Sequence, residues 1–484
     1  LLLTHRHQDI IMNKYIKYIF SLYLIVTSFA FAFEDPLIWK AQFLEHYEKP
    51  LNAYYLTGNP ASYIMYQESK ELFRLETRFA DFAYQRSYDP LATQLYQADF
   101  SAFRQINEKS FFSTTISYDE YRQRDIFASM EKDFYDDYFS MIDSTLGNTT
   151  YYGPQMQIMY NVELTDRLFF GVEANYGVER SLKDTFPKTI TIMRNGGYNV
   201  GLDYRTQSIT IGVHGRYYDD QTFYEAVKSY SQVRTKTYIG YNIFYNESAR
   251  SSVKKKRTRN GLEYGGHLGF SPGEKISGNF SISGLQRISR AELTGSTIKE
   301  RGLWQRQGIH MLGNLNIYPD GLAAVRIYAD YLHYNDWGKS LISNALVIEN
   351  EETYSRFGSM LVYKPSMIQQ AYVGAEAGKV SYDYTEYVFP FQNIKSGWEW
   401  KLYTGANMYL SSKTRLMFDL AYEHEVPKFY WGTEFFENTT LIINLEQSFS
   451  FGYIGLNFEY IQKKPANNIK TISILSCGLS FRQK

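Results

Sequence analysis

Cysteine is almost absent from this chain: Cys477 stands alone among 484 residues. That excludes an intrachain disulfide framework and a cysteine-based metal site. Net charge is also missing, since Lys+Arg 51 balances Asp+Glu 51, and nothing global points to a nucleic-acid partner. Past the N-terminal stretch no run of ~18 apolar residues occurs, so no transmembrane helix is expected. No Gly-x-Ser-x-Gly or His-Glu-x-x-His appears, and the histidines at 214, 267, 310, 333 and 424 are scattered. The expectation is therefore no enzyme, with no catalytic, metal or cofactor-binding residues. No composition break marks a linker either, which implies one large domain.

Aromatic residues and alternation are abundant. Tyr 45 and Phe 33 carry most of the 17% aromatic content, beside Gly 33. That density suits the interfacial girdles of a membrane barrel, and the mean hydropathy of −0.39 fits one, because only alternate residues would face lipid. Between Leu168 and Glu179 the residues Leu168, Phe170, Val172, Ala174, Tyr176 and Val178 fall on one face. Phe169, Gly171, Glu173, Asn175, Gly177 and Glu179 fall on the other. A helix cannot present that period of two as a single apolar face. Pro154 to Val162 alternates likewise, and Leu164-Thr165-Asp166-Arg167 reverses the chain. On this register an arginine at 172 should cost ~2–4 kcal/mol near the bilayer midplane and one at 173 little.

The unit recurs to the end of the chain. Short turns at Thr206-Gln207-Ser208, Ser271 to Lys275, Tyr318 to Gly321, Lys364 to Ser366, Ser411 to Lys413 and near Phe449 alternate with longer polar connections. Those connections are 122–151, which is acidic, and 290–302, 335–352, 383–395, 425–437 and 462–468. Short turns on one side and long loops on the other give an all-β fold, a transmembrane antiparallel up-and-down β-barrel. Parity requires an extra strand over Thr222 to Ser229, with Tyr218-Asp219-Asp220-Gln221 as a tight outer loop, giving ~20 strands with 18 as the alternative.

Residues 1–11 read as translated upstream sequence and 12–32 as a signal peptide, with a basic region from Met12 and an Ala30-Phe31-Ala32 cleavage site. Residues 33–71 read as an N-terminal periplasmic or plug segment, and 72–484 as the barrel. The last strand carries Leu475, Cys477, Leu479 and Phe481 on one face. It resembles the terminal strand that barrel-assembly machinery recognises, which makes that machinery an expected partner.

On the lumen face the alternation places Glu173, Asn175, Glu179, Asp203, Arg205, His214, Arg216, His310, Asn314, Asn316, Arg326, Asp330, Glu399, Lys401, Asn407, Arg415, Asp419 and Glu423. They read as a mutually neutralised polar interior or as a selectivity lining. Lys254 to Arg257 with Arg259 reads as a solvated outer loop, resting on lipopolysaccharide phosphates or capturing an anion. Glu131, Asp133, Asp136, Asp137 and Asp143 read as solvated loop acids.

In pattern, Glu71 to Phe481 resembles the functionally uncharacterised outer-membrane β-barrel families typical of Bacteroidota-like bacteria, with Thr149-Thr150-Tyr151-Tyr152-Gly153-Pro154 opening a strand as theirs do. The resemblance implies a Gram-negative outer-membrane location and the fold. Separately, Thr57-Gly58-Asn59-Pro60-Ala61 is similar to the asparagine-proline-alanine box near the N-terminal hatch of long-chain fatty-acid channels. The expected function is a porin-like, non-enzymatic channel or transport barrel. Its partners would be membrane lipid, lipopolysaccharide and an unidentified solute. The other reading is a structural, secretion-associated or surface-anchoring barrel with an occluded lumen.

Overall fold

Among the described residues of the protein, seen in a computed structural model, there are twenty β-strands and one 3-10 turn. The structure describes residues 58–65, 70–82, 89–132, 140–186, 188–227, 233–238, 244–249, 252–273, 275–294, 299–318, 322–363, 369–426, 436–465 and 472–483. The expected upstream residues, signal peptide and most of segment 33–71 lie outside these, as do Lys364 to Ser366.

The first half comprises β1 (Lys70–Phe82), β2 (Ala92–Asn107), β3 (Ser110–Ser129), β4 (Met141–Thr165), β5 (Leu168–Lys183), β6 (Lys188–Arg205), β7 (Ile209–Val227), β8 (Val233–Tyr238), β9 (Phe244–Ala249) and β10 (Ser252–Gly273). The second comprises β11 (Ile276–Thr294), β12 (Lys299–Ile317), β13 (Ala323–Ser340), β14 (Ala345–Tyr363), β15 (Gln370–Glu386), β16 (Phe391–Tyr409), β17 (Thr414–Glu425), β18 (Phe436–Phe449), β19 (Gly452–Pro465) and β20 (Ile472–Gln483).

Neighbours pair antiparallel throughout, and β1 closes the ring on β20 from Leu72↔Arg482 to Phe82↔Ile472. β7 pairs directly with β10, from Ile209↔Phe270 to Val227↔Ser252. The hairpin of β8 and β9 is therefore not part of the wall, and the closed barrel has eighteen strands. Of the two counts read from sequence, ~20 is close and the alternative of 18 describes the ring.

Position Thr222 to Ser229 is the physical reason for the difference. It is no separate strand: as far as Val227 it continues β7, and Tyr218 to Gln221 lie mid-strand. Parity is unbroken, since Gly212 and His214 face inward and so do Thr222, Tyr224 and Ala226. The polar run mimics a loop because it lies beyond the apolar belt. The same error lengthened the other connections. Strand β3 runs to Ser129 and β4 starts at Met141, so most of the expected loop 122–151 is ladder. The connections after β13 and β15 shrink to Leu341–Asn344 and Tyr387–Pro390.

Outward positions are apolar and unburied: Phe73, Leu75 and Phe79 on β1, and Tyr198, Val200 and Leu202 on β6. A continuous apolar belt on a closed ring is the surface of a barrel that spans a bilayer, since backbone hydrogen bonds are all internal. Inward positions between them are polar or glycine, as at Asn199, Gly201 and Asp203.

Candidate functional site: a lumen that holds two inward segments

Glycine at inward positions thins the wall enough for backbone to approach it. On adjacent strands β5, β6 and β7, Gly171, Gly201 and Gly212 line one such patch. The 3-10 turn Pro60–Met65 and the two residues before it lie on it, inside the lumen. A side chain built on Gly171 would run into the backbone of Pro60 and Ala61, and one on Gly201 into Asn59. The chain enters through Gly58 at φ 67, a left-handed conformation suited to glycine.

Asp203 anchors this turn. Asn59 Nδ2 donates to Asp203 Oδ1 at 2.6 Å and Ser62 Oγ to Oδ2 at 2.8 Å. Arg205 Nη2 donates to Asp203 Oδ2 at 3.0 Å and to the Ala61 carbonyl at 2.9 Å. Asn199 donates to the Gly58 carbonyl at 2.6 Å, and Asn161 to that of Pro60. Asn59, Ala61 and Ser62 are essentially fully buried. Beside them His267 Nε2 is 3.5 Å from Asp203 Oδ1. The proline fits because it has no N–H to satisfy, while the Ala61 N–H is taken by Asn59 Oδ1 at 3.0 Å.

The opposite, long-connection mouth is also occupied. Residues 130, 131 and 140–143 are buried there, and the β8–β9 hairpin joins them through Met141↔Thr237 and Ile142↔Lys236. Met130 and Met141 pack with Tyr224, Val253, Trp304, Ile348 and Tyr384 in one buried cluster that spans the lumen, with Tyr245 of β9 against it. Tyr245 also hydrogen-bonds Ser340 on β13.

Buried charge pairs hold this lid. Lys183 Nζ lies 2.9 Å from Asp143 with both side chains fully buried, and it also donates to the Thr145 carbonyl at 2.6 Å. Glu131 meets Arg257 at 3.2 Å, Tyr224 Oη at 2.7 Å and the Met141 N–H at 3.2 Å. Lys132 reaches Glu179 at 2.7 Å, and Lys255 donates to Thr237 Oγ1 at 2.6 Å. Burial pushes the Glu131 carboxyl above its ordinary range, opposed first by Arg257 and then by the Tyr224 hydroxyl.

These facts correct three expectations. Lys254 to Arg257 is strand rather than loop, with Lys255 and Arg257 buried and facing the lumen. Glu131 and Asp143 are buried latches rather than solvated acids, while Asp133, Asp136 and Asp137 lie outside the described residues. Nor is position 173 tolerant. Glu173 accepts from Gln157 at 2.6 Å and Asn199 at 3.2 Å and lies 3.9 Å from Arg216, so an arginine there would face a cation.

The eighteen lumen candidates thus divide. Glu173, Asp203, Arg205 and Arg216 gather at the docked turn with His214 nearby, Glu179 belongs to the lid, and Asn175 lies between. Others pair along the far wall: His310 with Asp330 at 2.8 Å, Lys401 with Glu423 at 4.0 Å, and Asp419 with Tyr372 at 2.5 Å. Arg415 donates to Asn407, Asn314 accepts from the Asn279 N–H at 3.2 Å, and Glu399 accepts from the Val426 N–H at 3.1 Å. Asn316 and Arg326 are buried there too. Missed from sequence were Asn161, Asn199, Lys183 and Tyr224. Strand parity places all four inward and is the signal that could have found them.

No family model matches the chain, and no curated protein matches it. Among solved structures it is similar to BauA, the ferric preacinetobactin receptor of Acinetobacter baumannii, at 7% identity and TM-score 0.41, over 86% of this chain and 80% of that one. It is similar to a Pseudomonas aeruginosa FadL homologue at 11% identity and TM-score 0.33, over 87% and 92%. It is also similar to the CymD monoaromatic hydrocarbon channel at 9% identity and TM-score 0.34, over 90% and 93%. All three are at 11% identity or below and at TM-scores below 0.5.

Proposed function

We propose that the protein is an outer-membrane transport barrel that passes solutes through its polar lumen and is closed at rest by two of its own segments. Asn59-Pro60-Ala61 seated on Asp203 inside the lumen is the observation that carries this reading. Such a docked terminal segment needs a function, because a wide barrel closes its ladder without it. The signal-peptide pattern, the terminal strand ending on outward Phe481, and lipopolysaccharide and assembly machinery as partners belong to the same proposal, as does the absence of catalysis.

The experiment is conductance of the full-length protein in planar bilayers against Asp203→Ala. Losing this carboxylate removes the acceptor of Asn59, Ser62 and Arg205, about 1–3 kcal/mol for each group left buried. Small currents in the parent and steady, larger ones in the variant support transport. Silence from both, with heat-resistant folded barrels on gels, supports the structural or secretion-associated reading. The fully buried Asp143–Lys183 pair is the feature that favours that second reading.

A further inference from the structure

Between the docked turn and the lid the lumen keeps a cavity of 660 Å³, and its place follows strand by strand. On β5 the turn is met at 171–173, the cavity at 175–177 and the lid at 179–183. On β6 the order is 199–205, 195–196 and 191; on β10 it is 267, 263 and 255–257. The volume is that of a site for a small ligand.

The lining chemistry narrows what such a ligand is. Arg216 and Arg287 are matched by Asp220 and Glu263, so a ligand with net charge meets no excess counter-charge. Arg216 stands 4.0 Å from Glu263, too far for a hydrogen bond and close enough for one hydroxyl to bridge them, accepting from one and donating to the other. Asn175 and Asn195 add amides that present donor and acceptor together. A hydrocarbon chain would leave these groups desolvated and unpaired. The cavity therefore disfavours the substrate that the Asn59-Pro60-Ala61 resemblance would suggest.

We propose that this chamber binds an uncharged, polyhydroxylated solute of short-oligosaccharide size. The inference rests on the transport reading above and names its substrate class.

The test is saturation-transfer NMR on the full-length Asp203→Ala protein, whose released turn lets probes reach the chamber, in lipid nanodiscs. The probes are maltotriose, cellotriose and mannotriose together, then trialanine, then hexanoate. Saturation of at least one trisaccharide is expected, reduced fivefold or more by Asn175→Leu with Asn195→Leu while the melting midpoint is held. Saturation of trialanine or hexanoate alone, no saturation at all, or trisaccharide signals unchanged in the double variant would each overturn the proposal. Trisaccharide binding without current from Asp203→Ala sinks the transport reading and leaves the site standing. Current without trisaccharide binding does the reverse.

Discussion

Two halves of the wall use inward glycines differently. Across β13 to β17, Gly358 lies under Tyr328, Gly374 under Tyr403 and Gly405 under Tyr372, so rings from neighbouring strands fill the gaps the glycines leave. Across β5 to β7 no aromatic ring is the near neighbour of Gly171 or Gly201, and the space holds the backbone of Pro60 and Ala61 and the side chains of Asn59 and Pro60. A tyrosine fixed to its own strand cannot leave without unfolding the wall, whereas a docked terminal segment can. On the proposed transport reading, the region with the rings is the permanent one and the region under the turn the one to be vacated. Ion pairs are of two kinds: Arg356–Glu376 at 3.0 Å and Arg216–Glu173 at 3.9 Å join wall to wall, while Lys132–Glu179 joins wall to lid.

The largest effect should come from the lid. Asp143→Ala strands Lys183 without its carboxylate in a fully buried site, and breaking such a pair costs ~3–5 kcal/mol. Because the lid can undock and let water reach the lysine, the cost should appear as opening rather than barrel unfolding. Protease accessibility at residues 130–132 and 140–143 should rise while urea unfolding from lipid stays within error. Unfolding at lower urea instead would mean that the lid is part of the barrel's core.

On the permanent half, Gly374→Val sets a side chain against the Tyr403 ring, an overpacking cost of ~1–3 kcal/mol. Urea titration should register it with no gain in conductance. The matching change on the other half, Gly171→Val, should expel residues 59–61 and raise the current while shifting unfolding by less than ~1 kcal/mol, because the displaced segment contributes no ladder bonds. If both variants unfold early, or both merely conduct, the two halves do not differ as described.

Alternation made the fold legible, because a period of two survives in every strand whether it lies in lipid or above it. Where the membrane ends was not legible. Asp219, Asp220 and Lys254 are polar outward or inward strand residues beyond the apolar belt, and composition there is that of a loop. For the same reason β7 was divided in two, although Thr222, Tyr224 and Ala226 keep its parity. At the site, inward Glu173 and Asp203 were readable from parity, but their partners were not. Asn59 and Asp203 are 144 residues apart, and nothing local in either stretch announces the other.

The smallest expected effect is that of pH on the lid, through Glu131. Burial raises its folded-state value above the ordinary 4.5, so its contribution to docking is fully present below 4.5 and is lost as pH rises through the raised value. The lid should therefore sit tighter in acid and loosen toward neutrality. Arg257 and Tyr224 oppose the burial, so open probability should rise between about pH 4 and pH 8 by less than burial alone would produce. The measurement needs the turn released first, so Asp203→Ala is the background and Asp203→Ala with Glu131→Gln the control. The control should give a flatter profile, since Glu131's titration is removed while that of Asp143, also raised by burial, remains. A profile running the other way, with the lid tightening as pH rises, would mean that the ion pair with Arg257 outweighs the cost of burying the two charges.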